Sequence, residues 1–242
     1  MNQSIKQSKA GFTIIELVLS MAFVSMLLLA VASTAIFLSN IYAKGTTMQL
    51  VNQTGREVTD LLRRDLLQAD QSNVTVFSGP NNATAAWGRL CLGEYSYVWN
   101  TADGLNNPSA TLVRTAGSSE PVRLLRVKDT NRTVCAQNGG GAFAMQVATT
   151  DETVDLLGDA SGNSQNPSRL AVHSLEVAEL ASSGNQRLRN VTLRLGTSDT
   201  SAFDGSGNDR QCSMSGSTNA NANNNYCAVS TFTFFVRATN VK

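Results

Sequence analysis

Glu16 is the only charged side chain between Phe12 and Ala43. A carboxylate inside an apolar helix costs on the order of 2.5 to 3.5 kcal/mol to bring into lipid, so it is kept where a cation can neutralise it. The four cysteines, Cys91, Cys135, Cys212 and Cys227, offer a second chemistry. No C-x-x-C pair occurs, so their spacing argues against zinc and for two disulfides formed outside a reducing compartment. Three connectivities are open. Pairing Cys212 with Cys227 would close a long polar loop at its base and restrict the unfolded chain, so Cys91–Cys135 and Cys212–Cys227 are the expected bridges.

Other reactive groups are sparse. His173 is the single histidine, and a lone histidine near a strand is read as structural. Asp204, Ser206 and Asn208 alternate like calcium ligands, but Asp209 stands where such a loop needs Gly and Ser215 where it needs Glu. Ordinary Asp/Gly turns account for them. No catalytic set, metal site or cofactor is expected, and the chain is not read as an enzyme. Asn73, Asn82, Asn131 and Asn190 begin Asn-x-Ser/Thr triplets, which an Asn- and Thr-rich chain produces by composition, so no modification is assigned.

The element that must position Glu16 is an apolar run at the start of the chain. Residues 17–38 carry no charge, and 22 helical residues span roughly 33 Å, enough to cross a hydrocarbon core of about 30 Å. Ahead of the run lies a short polar stub holding Lys6 and Lys9, which places the N-terminus in the cytoplasm. Ala30 and Ala32 make an A-x-A pattern that a signal peptidase accepts. Against that reading, Glu16 breaks the apolar region, and AIFLSNIYA stays apolar beyond the supposed cut.

The stretch GFTIIE, residues 11–16, resembles the type IV prepilin signature: Gly11 at the cut, Phe12 as first mature residue and Glu16 as its fifth. The resemblance covers about the first sixty residues and implies a set of partners. A prepilin peptidase would cut between Gly11 and Phe12 and N-methylate the Phe12 amine. The N-terminal helix would meet membrane lipid first, then other pilins or pseudopilins and an inner-membrane assembly platform. Loss of Lys6 and Lys9 takes the formal charge from +1 to −1. The new amine would lie about one helical turn from Glu16, so staggered subunits can place one amine beside a neighbour's carboxylate. The Cys-bounded polar loop near the C-terminus also resembles the disulfide loop of many pilins. A large head, and the absence of the Pro common in the membrane helix of major pilins, imply a minor pilin or pseudopilin with a J-type head.

Beyond the membrane segment, Val51, Gly55, Val58, Leu62, Leu66 and Ala69 recur at spacings of three and four. That periodicity predicts an amphipathic helix over 44–72 whose stripe faces the head. Its charges, Arg56, Glu57, Asp60, Arg63, Arg64 and Asp65, read as a solvated face. With no Pro between Phe12 and Gln71, the two segments can form one helix of roughly 90 Å, with Gly45 and Gly55 as places to bend. After Asn73 the period becomes two, over VTVF, RLCLGEYSYVW, TLVR, PVRLLRVK, FAMQVAT, LAVHSLEV, RNVTLRLG and AVSTFTFFVRA. Antiparallel sheet follows, with one buried and one wet face. Val191, Leu193, Leu195, Phe232, Phe234 and Val236 fall on the buried side. LAVHSLEV changes parity between Val172 and Leu175, which predicts a bulge near His173 or a short helix there.

The fold class is therefore α+β: a long N-terminal helix, half membrane-spanning and half amphipathic, packed on an antiparallel β-sheet head with disulfide-tethered loops, pilin-like in layout. Four segments are expected: a leader over 1–11, a transmembrane and assembly helix over 12–43, an amphipathic helix over 44–72 and an extracytoplasmic β-rich head over 73–242. Near-zero net charge and basic stretches without interleaved aromatics give no nucleic-acid site. The expected role is that of a minor pilin or pseudopilin, anchored in the cytoplasmic membrane and then built into a type IV pilus-like filament. The alternative is a membrane-anchored or secreted adhesin outside any filament.

Overall fold

In the computed structural model, residues 11–69, 74–78, 85–139, 141–148, 152–157, 169–183, 186–204, 210–213 and 226–239 are described. The leader residues 1–10, Asn73, Asn82, Ser206, Asn208, Asp209 and Ser215 lie outside that set. Helix α1 runs without a break from Ile14 to Gln68. No Pro interrupts it, and neither Gly45 nor Gly55 ends it. The chain divides into two units, residues 1–43 and 44–242.

The second unit continues from the later part of α1 into β1 (Thr75–Ser78), β2 (Trp87–Cys91), β3 (Tyr95–Asn100) and a short α2 (Ala102–Asn106). Strands β4 (Arg114–Thr115), β5 (Leu124–Lys128), β6 (Gln146–Val147) and β7 (Val154–Asp155) follow. The chain closes with β8 (Leu170–Ser183), β9 (Gln186–Thr197), β10 (Phe203–Asp204), β11 (Gln211–Cys212) and β12 (Val229–Thr239). An antiparallel five-stranded sheet has the order β1-β2-β3-β5-β7, and an antiparallel three-stranded sheet the order β12-β9-β8. Two small pairs complete the head: β4 with β6, which is parallel, and β10 with β11.

The α1 stripe does what its spacing requires. Val51, Val58, Leu62 and Leu66 are buried in one cluster with Leu90, Tyr97 and Trp99 of the first sheet and Val191, Leu193, Leu195, Phe234 and Val236 of the second. Asn52 Oδ1 accepts a 2.9 Å hydrogen bond from the Ser230 hydroxyl, a further tie between helix and β12. Gly55 is needed at the contact, because a Cβ there would fall 2.1 Å from Phe232 Cζ. Gly55→Val is therefore expected to destabilise the head by about 1–3 kcal/mol through overpacking. Chemical denaturation of the two chains checks it, and an unchanged midpoint would mean that Phe232 moves aside freely.

The five-stranded sheet departs from the expected pattern of one wet and one buried face, since every residue of β2 is buried. Val113, Val122, Val134, Phe143 and Val147, from the segments flanking β5, cover its second side in a separate cluster with Trp87, Val98, Leu125 and Val127 of the sheet. Arg89 sits within that layer, donating to the Val134 and Ala144 carbonyls while its guanidinium lies 5.5 Å from the Trp87 ring centroid and 4.9 Å from that of Phe143. Burial lowers its pKa to about 10, an effect that the Asp129 charge partly offsets. The run RLCLGEYSYVW, which reads as one strand candidate, is two strands joined at Leu92–Glu94, where Gly93 adopts φ 100°.

In the three-stranded sheet the register shifts between Val172 and Ser174. His173 is the extra residue of a bulge, so Val172 and Leu175 reach the same core; the short-helix alternative is excluded by continuous strand over Leu170–Ser183. Along β12, Thr231, Thr233 and Arg237 are exposed while Phe234 and Val236 are buried. On β9 the outward positions are less wet than the alternation predicts, because Arg194 is buried with Arg210's carbonyl as acceptor.

Candidate functional site

Gly11, Phe12 and Thr13 precede α1, and residues 11–42 are exposed throughout. Thr13 caps the helix. Its hydroxyl accepts from the Glu16 backbone N–H at 3.4 Å and donates to Glu16 Oε2 at 3.3 Å, which leaves Oε1 open to an outside donor. The T-x-x-E spacing is that of a capping box, with the Thr13 hydroxyl in place of its backbone N–H as the donor to Glu16, and the positive end of the helix dipole favours the carboxylate there. Phe12, Glu16, Leu19, Ser20, Phe23 and Met26 lie along one stripe of the helix, so the terminus and the acid share a face. An 18-residue window of α1 reaches a mean hydropathy of 2.5 with none of it buried, so by length and composition the helix can cross a membrane.

A second constellation fixes α1 to the head. Asp65 Oδ2 accepts from Arg126 Nε at 2.7 Å and from the Tyr97 hydroxyl at 2.6 Å, while Oδ1 accepts from Arg126 Nη2 at 3.1 Å. Only 1% of the Asp65 side chain is exposed. The solvated role expected for Asp65 is thus corrected: it stands three residues after Leu62 and seven after Val58, on the buried stripe itself. Burial first, and the Asp65 carboxylate second, raise the Tyr97 phenol well above its ordinary range. For Arg126 burial works against the charge, but its hydrogen bonds and ion pair with Asp65 outweigh it and the pKa is raised. The Arg126 guanidinium also stacks 3.6 Å from the Tyr95 ring centroid.

Cys91 is bonded to Cys135 and Cys212 to Cys227, and none of the four is free. The first bridge ties β2 to the turn after β5, and the second closes a loop with a sequence separation of 15. His173 lies near the second. Its Nε2 is 3.0 Å from the Thr197 carbonyl, and its ring centroid is 4.9 Å from that of Phe203. Burial lowers its pKa from 6.5 to about 4; the Thr197 hydrogen bond opposes this, and Arg210 and Arg194 add to it.

That depression has a defined stability consequence. Folded His173 stays neutral while the unfolded chain takes up a proton, so stability falls as pH drops from about 6.5 to about 4 and levels off below. The loss amounts to about 3 kcal/mol. Urea unfolding across that window is expected to show a sloping midpoint that His173→Gln flattens. An equal slope in the variant would assign the acid sensitivity to other groups.

No protein-family model, curated protein or solved structure matches this chain. The local geometry therefore carries the functional reading. Sequence reasoning selected Gly11, Phe12, Glu16 and the four cysteines. It passed over Thr13, whose signal was the three-residue spacing to Glu16, and the Asp65–Tyr97–Arg126 network. Asp65 alone carried a signal there, as an acid on an apolar stripe; Tyr97 and Arg126 join it only through tertiary pairing.

Proposed function

We propose that this protein is a minor pilin or pseudopilin, a structural subunit that helps initiate or cap a type IV pilus-like filament. The observation that carries the reading is Glu16: one carboxylate on a stripe shared with Phe12, at the start of an apolar helical segment exposed throughout residues 14–42. A prepilin peptidase cuts between Gly11 and Phe12 and methylates the new amine. The cationic amine of one subunit then meets Oε1 of a neighbour's Glu16, which neutralises the acid in lipid and sets the axial register of the two helices. The contact is heterologous and does not close on itself, so it propagates as an open filament. The β-rich head, braced by two disulfides and by the Asp65 network, is carried outside the cytoplasmic membrane on that helix.

Fractionation of cells expressing an epitope-tagged chain tests the proposal. The tagged protein is expected to co-purify with sheared filaments, or with a periplasmic pseudopilus, alongside a membrane-held pool awaiting assembly. Recovery solely from the membrane, with no filament association under conditions that build filaments, would favour an anchored adhesin and contradict the reading.

A further inference from the structure

Beside the C-terminal turn of α1, a cavity of about 330 Å³ opens between the helix end, the β2–β3 turn and the turn at 129–132. Leu92 is buried beneath it, Tyr95 is half-buried, and Gln68, Glu94, Thr130 and Arg132 form an exposed rim. The side chains of Gln68, Thr130 and Arg132 make no hydrogen bond or ion pair among the described residues, and Glu94 has only the Lys128 ammonium at 4.0 Å. Four polar groups thus line one recess, three of them without a protein partner among the described residues.

The backbone at the rim adds a second, independent sign. Arg132 is the one non-glycine residue with positive φ among the described residues, at 55°. Left-handed backbone disfavours an arginine, and such strain persists where surrounding structure holds it and function uses it. Here Asp129 does the holding: its Oδ1 accepts from the Thr133 N–H at 2.7 Å and the Thr133 hydroxyl at 3.0 Å, and its Oδ2 accepts from the Val134 N–H at 3.0 Å. The Cys91–Cys135 disulfide pins the chain three residues further on. The backbone that carries Arg132 to the cavity edge is thus held in place.

The chemistry of the lining selects the ligand. Arg126 already neutralises Asp65, and Glu94 lies 4.0 Å from the Lys128 ammonium, so the rim presents a loosely paired carboxylate and the Arg132 guanidinium. A phosphate would call for several cations, an ammonium ligand would be repelled by Arg132, and a purely apolar ligand would bury these polar groups without partners. Vicinal hydroxyls donate and accept at once, as this mixture of guanidinium, carboxylate, amide and hydroxyl demands, and the C–H face of a sugar ring suits Leu92 and Tyr95. We propose that this cavity is a binding site for a neutral polyhydroxylated ligand, a sugar unit of an oligosaccharide.

Saturation-transfer NMR on the full chain, solubilised in a detergent without a sugar headgroup, tests this apart from any filament assembly. Maltotriose and N,N′-diacetylchitobiose are the sugar probes; inorganic phosphate and lysine amide are the anion and cation probes. At least one sugar is expected to receive saturation, and neither ion is expected to compete with it. Arg132→Gly is expected to weaken sugar binding at least about tenfold, with a melting temperature equal to or above that of the parent, because Gly adopts the left-handed turn without strain. Thr130→Ala, at an exposed position, is expected to weaken binding without changing stability. Silence from both sugars, competition by phosphate or lysine amide, or undiminished sugar binding by Arg132→Gly would each overturn the proposal.

Discussion

Replacing Glu16 with Ala is expected to leave cleavage between Gly11 and Phe12 intact while reducing recovery of the chain in sheared filaments at least tenfold, the equivalent of about 1.4 kcal/mol per subunit contact. The direction follows from where the side chain acts. On the proposed assembly, removing the carboxylate takes away the single charge within residues 12–43 that a neighbour's terminal amine could meet. Two smaller effects run alongside: loss of a first-turn acid weakens the helix end by about 0.3–1 kcal/mol, while loss of a charge eases insertion into lipid. Neither would exclude the subunit from a filament. Glu16→Gln separates charge from capping, since its amide oxygen can still accept from Thr13. Normal incorporation of the Gln variant would assign Glu16 to helix capping and remove charge pairing from the account.

The largest stability effect is expected at Asp65. Asp65→Ala leaves the Arg126 guanidinium and the Tyr97 hydroxyl in a buried site without their acceptor, a change that costs about 3–5 kcal/mol when a buried pair loses one member. Asp65→Asn keeps the shape and one acceptor oxygen, so a smaller loss is expected. The pair itself contributes less than either truncation suggests, because desolvating both charges offsets much of their attraction. A double-mutant cycle with Arg126→Met isolates that coupling. In denaturant titrations, Asp65→Ala alone should lower stability more than Asp65→Ala combined with Arg126→Met. Additive losses would show that the two groups act independently, contrary to the geometry.

How much of this was legible in the chain depends on how local each signal is. The stripe from Val51 to Leu66 could be read directly, because helical periodicity is a property of neighbours in sequence. The bulge at His173 was visible as a parity change between Val172 and Leu175, and the inward faces of β9 and β12 as simple alternation. The sequence did not show that β2 and β3 are covered on both sides. Their second cover comes from the irregular segments on either side of β5, whose own strands β4 and β6 are two residues long and carry no period. Asp65 was read as solvated because it stands among Arg63, Arg64 and other charges; its burial depends on Arg126, 61 residues away. Positive φ at Arg132 is likewise set by Asp129 and the Cys91–Cys135 bridge, and no residue type in the turn announces it.

Mass spectrometry of the N-terminal peptide from the assembled protein tests the central claim most directly. If a freed terminus neutralises Glu16 of an adjacent subunit, the mature chain begins at N-methylated Phe12 and residues 1–11 are missing from every assembled copy. Assembled copies that retain Lys6 and Lys9 would have no such amine beside Glu16, and copies that begin after Ala32 would have no Glu16 at all; either would contradict it.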